Sequence, residues 1–127
     1  MTVPQSISLT KKLSAFQDHW HPRIVAGYNG NDVRVAKIAG AFPWHRHADT
    51  DELFLVLKGE MVPEMKAKDG APVERSLGTG DLCVVPKGVE HRPVAENECE
   101  ILLMDRAGEP TTGAATNDYT KRDLERI

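Results

Sequence analysis

The sequence predicts an all-β domain, a barrel or sandwich of short strands preceded by one short helix. Two observations predict it. Six runs rich in Val, Ile, Leu and Phe recur at 23–28, 33–38, 52–57, 61–66, 82–85 and 99–104. Turn residues separate them: Asn29-Gly30, Lys58-Gly59, Asp69-Gly70, Gly78-Thr79-Gly80 and Pro86-Lys87-Gly88. Many short strands punctuated by Gly and Pro argue for a sandwich or barrel and against alternating strands and helices.

In chain order, residues 6–17 have the pattern of a short amphipathic helix. Leu9, Leu13 and Phe16 fall on one face at helical spacing, with Ser8 or Thr10 as the cap. Asn29-Gly30 fits a two-residue hairpin turn, where both central residues take positive φ. Pro63 lies inside the fourth run and cannot donate to a ladder, so 61–66 is expected as an edge or interrupted strand. After Asp105 the pattern fades into Gly, Thr, Ala and Asn. That tail, 105–127, and the segment 19–28 are the expected covers of exposed sheet edges, within the chain or across a partner subunit. The whole chain, 1–127, is expected to be one domain.

A 127-residue chain can build a sizeable core, and 40% hydrophobic with 28% charged residues is ordinary for a globular protein. Sixteen basic against nineteen acidic side chains give −3, which supplies no phosphate-neutralising surface and argues against nucleic acid as a partner. No apolar run approaches the ~20 residues of a membrane span. The first ten residues lack a basic region followed by an apolar stretch, so a cytoplasmic location is expected. Cys83 and Cys99 are too far apart for a C-x-x-C site and are expected as buried free thiols.

Three of the five histidines stand beside turn residues with acidic company. In Trp44-His45-Arg46-His47, two histidines at i and i+2 of an extended chain project to one face and can converge on a single ion. A carboxylate five residues later, Glu52, comes within reach if Ala48-Asp49-Thr50 reverses the chain, and Asp49 and Asp51 compete for that role. His91 follows the Pro86-Lys87-Gly88 turn and could deliver a fourth ligand from a distant strand. Three imidazoles and one carboxylate suit a divalent transition ion (Mn, Fe, Ni, Co or Zn) and suit Ca or Mg poorly. His19-Trp20-His21 is a second H-x-H, but no carboxylate follows it at a suitable spacing and Pro22 interrupts the strand. It reads as a surface or interface segment.

The chain resembles the cupin superfamily in both of its signature motifs. Gly40, His45, His47, Glu52 and Gly59 match the first, with one residue fewer between the glycine and the first histidine. Gly80, Pro86, Gly88 and His91 match the second, whose final Asn position is Ala95 here. Within that superfamily, the run from Trp44 to Gly59 is similar to small bacterial single-domain cupins, a group often labelled as resembling mannose-6-phosphate isomerase. The resemblance implies a double-stranded β-helix, or jelly-roll barrel. It also implies a metal held by His45, His47, Glu52 and His91, and it favours Glu52 over Asp49 and Asp51. Small cupins commonly pair, so a homodimer is expected. Trp44, Phe54, Arg92 and Met104 are the expected pocket residues around the ion. With open coordination positions, the function expected is a metal-dependent enzyme of isomerase, lyase or dioxygenase type on a small polar molecule. The alternative is a barrel that binds such a ligand without turnover. No G-x-S-x-G element competes, and neither cysteine has a neighbouring histidine.

Overall fold

The computed structural model describes residues 3–127. One helix and seven strands follow in order: α1 (Leu9–Leu13), β1 (Arg23–Tyr28), β2 (Asn31–Ala41), β3 (Glu52–Lys58), β4 (Val62–Lys66), β5 (Pro72–Glu74), β6 (Leu82–Val85) and β7 (His91–Arg106). The strands are ordered β1-β2-β7-β3-β6, and β4 bridges β5 and β7. All of these pairings are antiparallel. β7 is the organising strand. Its later half lies between β2 and β3, with Leu102 opposite both Val35 and Leu55, while its first residues pair with β4. A strand whose neighbours change along its length curls the sheet around one core. Ile38, Phe54, Val56, Met61, Val85, Ile101 and Leu103 fill that core.

The expected hairpin joins β1 to β2: Asn29 and Gly30 have φ 49° and 77°, and Tyr28 pairs with Asn31. The helix is shorter than its amphipathic pattern. Ser8 caps it by accepting from the Lys11 N–H, but Ser14 donates its hydroxyl to the Lys11 carbonyl and the helix ends at Leu13. Leu13 and Phe16 nonetheless pack with Val35 on the outer face of β2. Lys37, on the same face, donates its ammonium to the Phe16 carbonyl at 2.8 Å.

Two strand expectations change. The run 99–104 is only the end of the sixteen-residue β7, whose exposed Glu96-Asn97-Glu98 masks its continuity. β4 is paired on both sides, so it is not an edge. Pro63 is tolerated because it faces Pro93 of β7, while β5 pairs only with Glu64 to Lys66. β5 itself carries no apolar run that would reveal it.

The tail lies across its own barrel. The Ile24 N–H donates to the Glu125 carbonyl, and the Ile127 N–H donates to the Ile24 carbonyl, so the last residues cover the outer edge of β1. Farther back, Gly113 (φ 63°) packs so tightly on the H-x-H segment that a Cβ there would lie 2.0 Å from the Arg46 carbonyl oxygen. No helix among the described residues is long and apolar enough to cross a membrane. Gly113→Ala is expected to lift the tail. Hydrogen exchange at the Gly113 and Lys121 amides should speed up by more than about tenfold, while β2 and β7 amides keep their protection.

Candidate metal centre

Backbone hydrogen bonds bring the two histidine segments together. β2 carries a bulge between Ile38 and Gly40, and the chain beyond Ala41 runs on alongside the start of β7. There His45 and His91 form an antiparallel bridge: the His45 N–H donates to the His91 carbonyl at 3.0 Å, and the His91 N–H donates to the His45 carbonyl at 2.8 Å. The Gly88 N–H donates to the His47 carbonyl at 2.8 Å. Asp51 accepts from the Lys87 N–H at 2.9 Å. The Pro-x-Gly turn is therefore fastened to His47 and to Asp51, and Glu52 follows as the first residue of β3.

His45, His47, Glu52 and His91 offer ligand atoms that all lie within 4.8 Å of one another, and all four are buried. Asp49 and Asp51 are exposed, and Asp51 is occupied by the Lys87 amide, so the geometry separates Glu52 from its neighbours. Among the described residues this is the one group of three or more such side chains gathered closely enough to hold an ion.

Each imidazole is oriented by an acceptor at its far nitrogen. Nδ1 of His45 lies 3.0 Å from the Pro43 carbonyl, Nδ1 of His91 lies 2.9 Å from the Val89 carbonyl, and Nδ1 of His47 lies 2.9 Å from Oε2 of Glu109. A carbonyl only accepts, so Nδ1 of His45 and His91 carries the proton and Nε2 presents its lone pair. The Nε2 atoms of His45 and His47 are buried without a hydrogen-bond partner. Nε2 of His91 lies 3.1 Å from Oε1 of Glu52, two lone-pair atoms in contact. Orphaned acceptors and an acceptor–acceptor contact around one point are what a cation would resolve, and the donor set fits a divalent transition ion.

Electrostatics agree with that geometry. Burial, reinforced by His91, pulls the His45 pKa down to about 4, so this ring is neutral at ordinary pH. At His47 burial opposes charge, but Glu52 and Glu109 outweigh it and raise the pKa. Burial also works against the Glu52 carboxylate, yet the His47 and His91 imidazoles that face it hold its pKa well below the usual range. Asp105, on β7, goes the other way. Its burial and the neighbouring Glu52 push its carboxyl well above the carboxylate range.

Inside the barrel the cluster borders a cavity of about 30 Å3, lined by His45 and Glu52 together with Arg34, Asp105, Phe54 and apolar side chains. Of the four expected pocket residues, only Phe54 lines it. Trp44 lies elsewhere, its ring in contact with the Lys66 ammonium and the Arg92 guanidinium, and Arg92 donates to Glu64 at 2.7 Å. Met104 fails by parity: Ile101, Leu103 and Asp105 of β7 line the cavity, and alternate residues face the other side. Trp20, expected in a surface segment, lines the cavity and donates its indole N–H to the Ala39 carbonyl at 2.8 Å. The flanking His19 and His21 reach only half-exposed carboxylates, Glu98 and Asp18.

Four site residues went unpredicted. Glu109 and Thr111 belong to the tail, where no periodicity marks them. Arg34 and Asp105 had a readable signal, since each is a charge set at interior parity within an apolar run. Arg34 is 1% exposed and donates to Asp32 at 2.9 Å, to the Glu109 carbonyl at 3.0 Å and to Asp105 at 3.2 Å.

A family model described as Cupin domain matches residues 31–105, more than half of the chain, and the protein belongs to the cupin family. A cupin-2 domain containing protein from Shewanella frigidimarina superposes with a TM-score of 0.69 at 40% identity, over 77% of this chain and 91% of that one. Protein YdbB of Bacillus subtilis is 40% identical over 68 residues, 54% of this chain and 57% of its own length. The chain thus spans little more than half of that curated relative. Hydroquinone 1,2-dioxygenase PnpCD in complex with Fe3+ shares the fold, with a TM-score of 0.71 at 22% identity over 82% of this chain and 33% of that one.

The Glu109 carboxylate fixes the His47 ring from behind, and such partners typically matter about 10–100-fold in metal affinity. Glu109→Gln is expected to weaken binding of an ion at this centre by that factor, measured by competition with a chromophoric chelator, while the unfolding midpoint in urea changes little.

Proposed function

We propose that the protein is a metal-dependent enzyme in which His45, His47, Glu52 and His91 hold one divalent transition ion. The observation that carries this is the common aim of three imidazole Nε2 atoms, each set by a fixed Nδ1 acceptor, at one buried point beside a carboxylate. Such an ion supplies Lewis-acid or oxygen-activating chemistry. The protein's own residues do the rest. The cavity wall of Phe54, Ile101 and Leu103 keeps water away from a bound substrate. Asp105 is the one carboxyl in that wall outside the ligand set, and it is placed to give or accept a proton. Glu64 and Glu90 are engaged outside the cavity by Arg92 and Lys66 and take no part. The reaction class supported is isomerase, lyase or dioxygenase chemistry on a small polar molecule such as a sugar or a keto or carboxylic acid.

The proposal extends to a cytoplasmic homodimer. Cys83 and Cys99 are free thiols, and β6 ends the sheet with Leu82 and Val84 exposed at 57% and 45%. A monomeric mass at micromolar concentration in light scattering would contradict the dimer.

The wild-type protein is expected to carry about one transition ion per chain, and His45→Ala/His47→Ala none, by elemental analysis of the folded proteins. Full occupancy in the double variant would remove the ligand assignment. Turnover of small hydroxy, keto or sugar substrates that disappears with the ion supports the enzyme, whereas saturable binding without turnover supports a non-catalytic binder. The pH dependence has a definite sign. With its pKa raised, His47 takes up a proton that competes with the ion at higher pH than an ordinary imidazole would, whereas His45, with its pKa at about 4, is protonated only in acid. Metal affinity should therefore fall as pH drops, with protonation of His47 the first to compete. Calorimetry in buffers of different ionisation enthalpy should show proton release on binding.

A further inference from the structure

The cavity beside the proposed metal holds a second group that the ligand set does not use. Arg34 projects from β2 into its wall and is 1% exposed. Its two terminal nitrogens are taken up by Asp32, Asp105 and the Glu109 carbonyl. Its Nε–H is buried with no hydrogen-bond partner. A buried donor on a charged group is costly to leave unmade, and native structures rarely leave one without a reason. Much of the remaining wall is apolar, including Ile38, Phe54, Ile101 and Leu103. A cavity of about 30 Å3 is also far below the ~150 Å3 that accommodates a benzene ring.

From these observations we infer that Arg34 is the specificity-determining residue of the site, and that the site takes a compact aliphatic carboxylate whose anionic oxygen accepts from the Arg34 Nε–H. This rests on the reading of the centre as a metal site. Glu52 is the one carboxylate in the ligand set, so a divalent ion with its four ligands keeps a positive charge. Arg34 then supplies a directed donor at a second point, so charge and direction together select an acid over a neutral amide or alcohol. A cavity of this size favours a compact aliphatic acid over an aromatic ring.

The test uses zinc-loaded full-length protein, with one zinc per chain verified by elemental analysis, and acetate, acetamide and phenol as probes. Calorimetry should show acetate binding at least tenfold tighter than acetamide, and no binding of phenol. In the wild-type protein, 15N-resolved NMR should show the Arg34 Nε–H proton moving downfield as acetate saturates the site. Arg34→Lys, which keeps the charge but removes that donor, should weaken acetate at least tenfold with zinc content unchanged. The NMR readout needs no variant, so a misfolded Arg34→Lys protein leaves the test intact. Acetate binding with an unmoved Nε–H signal would overturn the role of Arg34, as would full affinity in a zinc-replete Arg34→Lys protein. Phenol binding as tightly as acetate would overturn the substrate class. No acetate binding to zinc-replete protein would overturn the inference while leaving the metal site standing. Failure to retain zinc at all would instead defeat the reading of the metal centre.

Discussion

The paired backbone hydrogen bonds between His45 and His91 are the constraint on which the site depends. They join the end of the β2 excursion to the start of β7, two segments 46 residues apart in sequence, and so decide which imidazoles can meet. Because one His bridges another directly, the two rings lie with centroids 4.4 Å apart. His47 follows by the two-residue period, and the Gly88 amide holds its carbonyl in place. Glu52 is then positioned by its pairing with Val85 at the head of β3. Within this frame the Nδ1 acceptors rotate each ring into the orientation that presents Nε2 inward.

The site charges a cost to the fold that the surrounding network offsets. His45 and His47 bury unpartnered nitrogens, and Glu52, Asp105 and Arg34 are ionisable groups nearly sealed from water. Buried charge of this kind persists only when paired and hydrogen-bonded. Here His47 and His91 face Glu52, while Arg34 separately joins Asp105, Asp32 and the Glu109 carbonyl of the tail.

Much of this was legible in the sequence because it depended on local rules. The Asn29-Gly30 hairpin, the His45/His47 parity and the Pro86-Lys87-Gly88 turn before His91 each follow from a few adjacent residues. Glu52 was legible through motif spacing, and burial now distinguishes it from Asp49 and Asp51. What could not be read depended on long-range packing. Glu109 reaches His47 only because the tail folds back under Gly113, and no periodicity announces that. Trp20 lies against the cavity because the chain reaches positive φ there, hidden in a segment that otherwise resembles a surface turn. Trp44 and Arg92 adjoin ligands in sequence but lie outside the cavity, since neighbours in an extended chain face opposite ways.

The central claim is that one ion would meet three imidazole nitrogens and one carboxylate oxygen at this point. X-ray absorption at the metal edge of the metal-loaded protein tests it most directly. The account predicts nitrogen and oxygen scatterers at about 2.0–2.2 Å, with the outer-shell multiple scattering of three imidazoles and no sulfur. A shell fitted by sulfur, or by oxygen without imidazole scattering, would contradict it.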